Sequence, residues 1–237
     1  MALPVLTTPT YELVIPSTDE KIKYRPFLVK EEKILLIALE SNKNKDIINA
    51  VKEIVKACTF DKFDVSSLPI FDVEFVFLNI RAKSVGEVSQ ISLLCPDDKT
   101  TYVSVEVDLS EVMVQVETEH NPKIELTDEM GLVMRYPTID SFVDNDITEI
   151  TASNMLEVIS SCILQIYDKK GEEVFDAKDQ TAKELVEFVE QLNSKQFQKL
   201  QKFFDSMPAL KHTVEIENPK TKVKSDVVLQ GLSDFFV

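Results

Sequence analysis

Apolar residues change their spacing repeatedly along this chain, and each change predicts a different element. In "YELVIPSTDEKIKYRPF" (11–27), Leu13 and Ile15 alternate with polar residues, a Pro-Ser-Thr-Asp turn follows, and Ile22 and Tyr24 resume the alternation. That is a β-hairpin pattern. In "ILLIAL" (34–39) the apolar side chains surround the helix, which predicts a buried one. Ile47, Ile48, Val51, Ile54, Val55 and Cys58 share one face of the next helix, with Asn44 or Asp46 as its cap. "SSLPIFDVEFVFLNIRAKSVG" predicts a third helix. Ser67 is its expected cap and Pro69 lies in its first turn; Phe71, Phe75, Leu78 and Ala82 form one face, and Gly86 sits just past the end.

The period then falls to two. Ile91, Leu93 and Cys95 point one way, a turn at Pro96–Lys99 follows, and Val103, Val105, Val107 and Leu109 line one face of the return strand. Val112, Val114 and Val116 repeat the pattern, and "KIEL" (123–126) and "GLVMRY" (131–136) add two further strands. Beyond residue 145 the character shifts again. "TASNMLEVISSCILQIYD" (151–168) aligns Leu156, Ile159, Ile163 and Ile166 at helical spacing, and "GEEVFDA" (171–177) reads as a short strand. Two helices follow, one opening on a Thr181/Glu184 capping box and one stopping at Pro208. A hairpin around Asn218-Pro219 and the segment "LSDFF" close the chain. The expected fold class is therefore α+β. Residues 1–145 would hold a hairpin, three helices and antiparallel strands; residues 146–237 would form a smaller α+β domain with a C-terminal β-hairpin and a docking tail. The boundary falls in "VDNDITEI" (143–150), a linker short enough for the two parts to pack together.

Composition narrows the function. With 44% apolar and 28% charged residues, the 237-residue chain reads as soluble and globular, not disordered. No apolar run approaches the roughly 20 residues of a membrane span, and the N-terminus lacks a basic stretch followed by an apolar one. Three widely spaced cysteines fit reduced thiols in a cytoplasm, with Cys58 part of a helical apolar stripe. The formal charge is −15, and residues 106–157 carry 13 acidic side chains against two basic ones. Such a surface repels a phosphate backbone, so direct nucleic-acid binding is not expected. It is either a solvated face or one that meets a basic partner.

Candidate chemistry is sparse. "LLCPDDKTTYVSV" (93–105) resembles half of a zinc knuckle, but Asp98 stands where a second cysteine belongs, and the chain has two histidines and no CxxC or HExxH. The stretch reads as a plain hairpin. A nucleophile elbow, a P-loop and a dinucleotide-binding glycine motif are all missing. No catalytic, cofactor-binding or metal-binding residue is therefore assigned, and the chain reads as a non-enzyme that needs no cofactor or small-molecule substrate. What remains is surface. Tyr24, Arg25, Pro26 and Phe27 form a strand-to-helix corner of interface-like composition, and Leu232, Phe235 and Phe236 follow a glycine hinge. Both sets are candidate partner-binding residues, and both also fit packing on the chain's own domain.

The stretches "LPVLTTPTYELVIPSTDEKIKYRPFLVKEEKILLIALES", "IFDVEFVFLNIRAKSVGE" and "GLSDFF" resemble, in order, the T4-like bacteriophage baseplate hub proteins that act in hub assembly of contractile tails. The resemblance covers nearly the whole chain and is densest over residues 3–95. It implies a non-enzymatic role in viral tail assembly in the host bacterial cytoplasm, with other baseplate hub and tail proteins as partners. It leaves open whether the protein stays in the virion or acts as an assembly chaperone. Two rival classes remain: a hydrolase whose site is assembled from acidic residues, and a host-directed adaptor. A deep pocket converging on carboxylates would favour the hydrolase, and a broad apolar patch would favour an assembly protein or an adaptor.

Overall fold

The computed structural model describes residues 6–41, 43–62, 64–144 and 154–235. Strands β1 (Tyr11–Val14) and β2 (Lys21–Tyr24) pair as the expected hairpin, with Leu13 opposite Ile22. Helices α1 (Val29–Ser41), α2 (Asn44–Cys58) and α3 (Ile70–Val85) follow, then β3 (Val88–Leu94), β4 (Tyr102–Asp108) and β5 (Met113–Gln115). The chain continues through β6 (Lys123–Glu125), β7 (Met130–Met134), α4 (Ile139–Asp144), α5 (Met155–Ser161), β8 (Ile163–Asp168) and β9 (Glu173–Asp176). It ends with α6 (Ala182–Glu190), α7 (Ser194–Ser206), β10 (Ala209–Glu217) and β11 (Lys224–Gln230). The class is α+β with antiparallel sheets.

These elements gather into two compact units. The first takes Met1–Asn42, Asp46–Gln115 and Ala209–Val237; the second takes Lys43–Lys45 and Val116–Pro208. This partition differs from a cut near residue 145, most of which lies outside the described residues. The reason is strand pairing: β10 bonds β11 on one side and β5 on the other, with Leu210 opposite Val114, so the C-terminal hairpin completes the first unit. β6 and β7 in turn join β8 and β9 in a four-stranded sheet of the second unit.

In the first unit α3 is buried on every side: Phe71, Val73, Phe75, Val76, Phe77, Leu78 and Ile80 are all buried. A 3-10 turn over Val65–Ser67, capped by Asp64, whose side chain accepts from Ser66 N, leads into α3; the N-cap of α3 itself is Pro69, with no side-chain cap hydrogen bond, so Ser67 does not take the capping role expected of it. Phe75, Leu78 and Ala82 face Ile91, Leu93, Val107, Leu210, Leu229 and Phe235 across one core. Strand β3 alternates as expected, and Ile91 and Leu93 lie opposite Val105 and Val103.

The second unit packs α5, α6 and α7 on its sheet around Leu132, Ile163, Leu185, Leu200 and Phe203. The helix expected over 151–168 stops at Ser161, and "ILQIYD" becomes strand β8 between β7 and β9. A short apolar run fits either period, and pairing on both edges decides for the strand. At Gly131, opposite Tyr167, a Cβ would run into the Tyr167 hydroxyl, so only glycine fits the register. Helix α6 carries the expected Thr181/Glu184 capping box, and α7 has a second one from Asn193 and Gln196.

The chain end is latched onto the first unit. Gly231, at φ +70°, turns the backbone so that Leu232 N donates to Glu74 Oε1 at 3.2 Å on α3, and Asp234 Oδ2 accepts from Gln230 N at 2.8 Å. Phe235 then enters the core with no exposed surface. Phe235→Ala should therefore destabilise the first unit by about 3–5 kcal/mol, read as a lower urea midpoint.

Burial pushes the Glu74 carboxyl up to about 7; the Leu232 N–H opposes this and the Asp234 carboxylate adds to it. In the folded state Glu74 thus keeps its proton in a range where the unfolded chain, near about 4.3, has lost it. Its contribution is full below the unfolded value and is lost as pH rises through about 7. Glu74→Gln keeps an acceptor for Leu232 N and should flatten that part of the stability–pH curve, which thermal melts between about pH 4 and pH 8 would detect.

Candidate interaction surface

The Tyr24–Phe27 corner is built into the first unit. Tyr24 is 2% exposed and its ring lies 5.7 Å from that of Tyr11. Arg25 Nη2 meets Glu31 Oε1 at 3.0 Å, with side-chain exposures of 12% and 3%. The same guanidinium donates to Pro26 O and Ala57 O, and Arg25 N donates to Cys58 O. Glu31 Oε2 accepts from Leu28 N at 2.7 Å, and Phe27 N donates to Ser84 Oγ at 2.9 Å. Burial pushes the Glu31 carboxyl up, but the Arg25 guanidinium and the Leu28 N–H outweigh it and hold it below its ordinary value. The polar groups of the corner are spent on fixing the entry to α1. Of the tail residues, Leu232 packs partly buried on the same core that encloses Phe235, and Phe236 lies outside the described residues.

The exposed apolar surface lies elsewhere. Helix α1, expected to be buried, buries only Glu31 and Ala38 among its described side chains. Val29 is 80%, Leu36 54% and Ile37 56% exposed, and Ile34 and Leu39 flank them in solvent. The apolar pattern alone could not foretell this, because a helix apolar all round has no side that marks itself as outer. On the second unit Leu164, Val174 and Phe175 are exposed at β8 and the edge strand β9. That unit also has an apolar groove of about 440 Å³ lined by Pro137, Met155, Val158, Ile159, Phe204 and Met207.

Several groups that could do chemistry are committed to structure. Asp98 accepts from Thr100 N, Thr101 N and Thr101 Oγ1, closing the β3–β4 turn. Asp97 accepts from Asn218 Nδ2 at 3.0 Å and from Thr221 Oγ1, clipping that turn to the β10–β11 turn. Among the described residues no group of three His, Cys, Asp or Glu side chains could hold a metal ion. Cys58 and Cys162 are buried, and burial pushes both thiols up to about 11, away from the reactive thiolate.

One Ser–His contact exists in the second unit, His120 Nδ1 to Ser206 Oγ at 3.0 Å. The Ser206 hydroxyl donates to Lys202 O at 2.7 Å, so the imidazole N–H donates to the serine oxygen and leaves Nε2 buried without a partner. The histidine sits between Tyr136 and Phe203, where burial lowers its pKa. A base must accept the serine proton, and this pair runs the other way.

The acidic stretch 106–157 does not form one face within a unit, because residues up to Gln115 belong to the first unit and those from Val116 to the second. Lysines from later in the chain meet part of it: Lys202 with Glu119 at 3.0 Å, Lys169 with Glu125 at 2.8 Å and Lys170 with Glu129 at 3.7 Å. Exposed pairs like these add little stability, and their effect is to dilute the charge.

Because Glu31 neutralises a nearly buried guanidinium, Glu31→Ala should destabilise the first unit by about 3–5 kcal/mol, measured by urea unfolding. Glu31→Gln, which keeps an acceptor for Leu28 N, should lose less.

No curated protein and no solved structure matches the chain. A family model described as "T4 bacteriophage base plate protein" matches residues 8–237, which span both units and every strand and helix described above. The chain therefore belongs to the T4 bacteriophage base plate protein family.

Proposed function

We propose that this chain acts in assembly of the phage baseplate hub, without catalysing a reaction, through contacts with other hub and tail proteins in the infected bacterial cytoplasm. The family membership supports the baseplate setting. The observation that carries the mode of action is the distribution of surface. Large apolar side chains stand in solvent on both units, Leu36 and Ile37 on one and Val174 and Phe175 on the other. The carboxylates of Asp97, Asp98 and Glu31 and the His120–Ser206 pair, by contrast, are tied into turns, caps and cores. Exposed apolar surface of this kind is what a protein that works by binding other proteins needs.

An affinity tag on the chain, isolated from infected cells, tests this reading by comparing free assembly intermediates with finished tails. Other baseplate proteins should co-isolate with it from the intermediates. Presence in finished tails would make it a hub component; loss at that stage would make it an escort. Isolation of the chain alone at every stage, with tails still assembling in its absence, would overturn the proposal.

A further inference from the structure

Lys33, Leu36, Ile37 and Glu40 are spaced i, i+3, i+4 and i+7, so they form one stripe along α1. Val29 continues it at the N-terminal end, and Ala38 and Glu31, the buried residues of α1, lie on the opposite side. The stripe has an apolar centre, a cation at one end and an anion at the other. Lys33 and Glu40 are seven positions apart, about 10 Å along a helix, too far for them to pair with each other. Among the described residues neither forms an ion pair within the chain.

We propose that this stripe pairs with α1 of a second copy of the same chain, antiparallel, about a two-fold axis passing between Leu36 and Ile37. That axis sets Leu36 against Ile37 of the partner subunit and Lys33 against Glu40 of the partner subunit, and symmetry repeats each contact. The charges choose the direction. A parallel pairing would place Lys33 on Lys33 and Glu40 on Glu40, two repulsive contacts in place of two attractive ones. The inference stands on the geometry of α1 and does not require the hub reading.

The test is sedimentation of the full chain at about 0.15 M salt, where surface charge is screened within about 8 Å, over concentrations from about 1 µM upwards. The native chain should sediment at twice its 26.9 kDa mass. K33E and E40K alone should each weaken the dimer about tenfold or more by creating like-charge contacts. An equimolar mixture of the two single variants should restore association, because each then supplies the charge that the other needs, and the double variant K33E/E40K should dimerise alone. L36E should be monomeric with an unchanged far-ultraviolet spectrum, since its site is exposed. A native chain that stays monomeric throughout would overturn the proposal, including one that binds only another baseplate protein. So would a dimer that K33E and E40K leave intact or that the mixture fails to restore.

Discussion

From Phe71 to Ala82 helix α3 has no solvent side, and the first unit is a consequence of that fact. A helix whose successive residues Phe75, Val76, Phe77 and Leu78 are all buried must be covered all round. The strands β3, β4, β5, β10 and β11 contribute the apolar side chains that cover one face, which is why residues more than 100 positions apart share one core. The few polar groups of α3 act as attachment points for the chain that wraps it. Asp72 accepts from Ser17 N in the β1–β2 turn, Ser84 accepts from Phe27 N before α1, and Glu74 accepts from Leu232 N at the chain end. Burial raises the Asp72 carboxyl, opposed by its Ser17 hydrogen bonds. These contacts matter more for specificity than for net energy, since an unmade buried hydrogen bond is expensive and a made one is worth only about 1 kcal/mol.

The second unit is held differently. Its sheet is one helix-covered face, and the aromatic group of His120, Tyr136 and Phe203 fills the space beside α7 with ring centroids 5.0–5.9 Å apart. The orphaned imidazole nitrogen is tolerable there because a neutral ring loses only one hydrogen bond, whereas a charged one would lose its hydration. The histidine is thus one more packing aromatic, despite the serine beside it.

Where the sequence was legible, local rules were decisive. The two hairpins at 11–24 and 209–230, the alternation of Ile91, Leu93 and Cys95, and the Thr181/Glu184 box could all be seen, since each depends only on neighbours in sequence. The misses are non-local. Nothing near residue 210 announces that β10 will bond β5, so a cut near 145 looks natural from the sequence and the pairing of Leu210 with Val114 undoes it. Strand β8 hid inside a run whose apolar residues fit either period. The Tyr24–Phe27 corner has the composition of an interface, but a partner within the chain, Glu31, satisfies its arginine. Composition tells which side chains want cover; it does not tell what covers them.

Helices α1 and α3 make that limit concrete. The sequence predicts an all-round apolar, buried helix at α1 and a single apolar face at α3, yet α3 is buried and α1 stands with Leu36 and Ile37 more than half exposed. The difference is where the chain has surface left to give. The strands that could cover a second such helix are already used on α3 and on each other. An apolar helix left on the rim exposes surface whose burial is worth roughly 25 cal/mol per Å². A charge of −15 makes copies of the chain repel one another over about a Debye length, while apolar contact acts only once surfaces touch. A surface of this kind therefore resists indiscriminate clumping and yields to a partner that supplies opposite charge at contact, as Lys33 and Glu40 do for each other across a two-fold axis. Within the chain the pattern that predicts a buried helix fails for α1, because apolar spacing records a need for cover and not which molecule meets it.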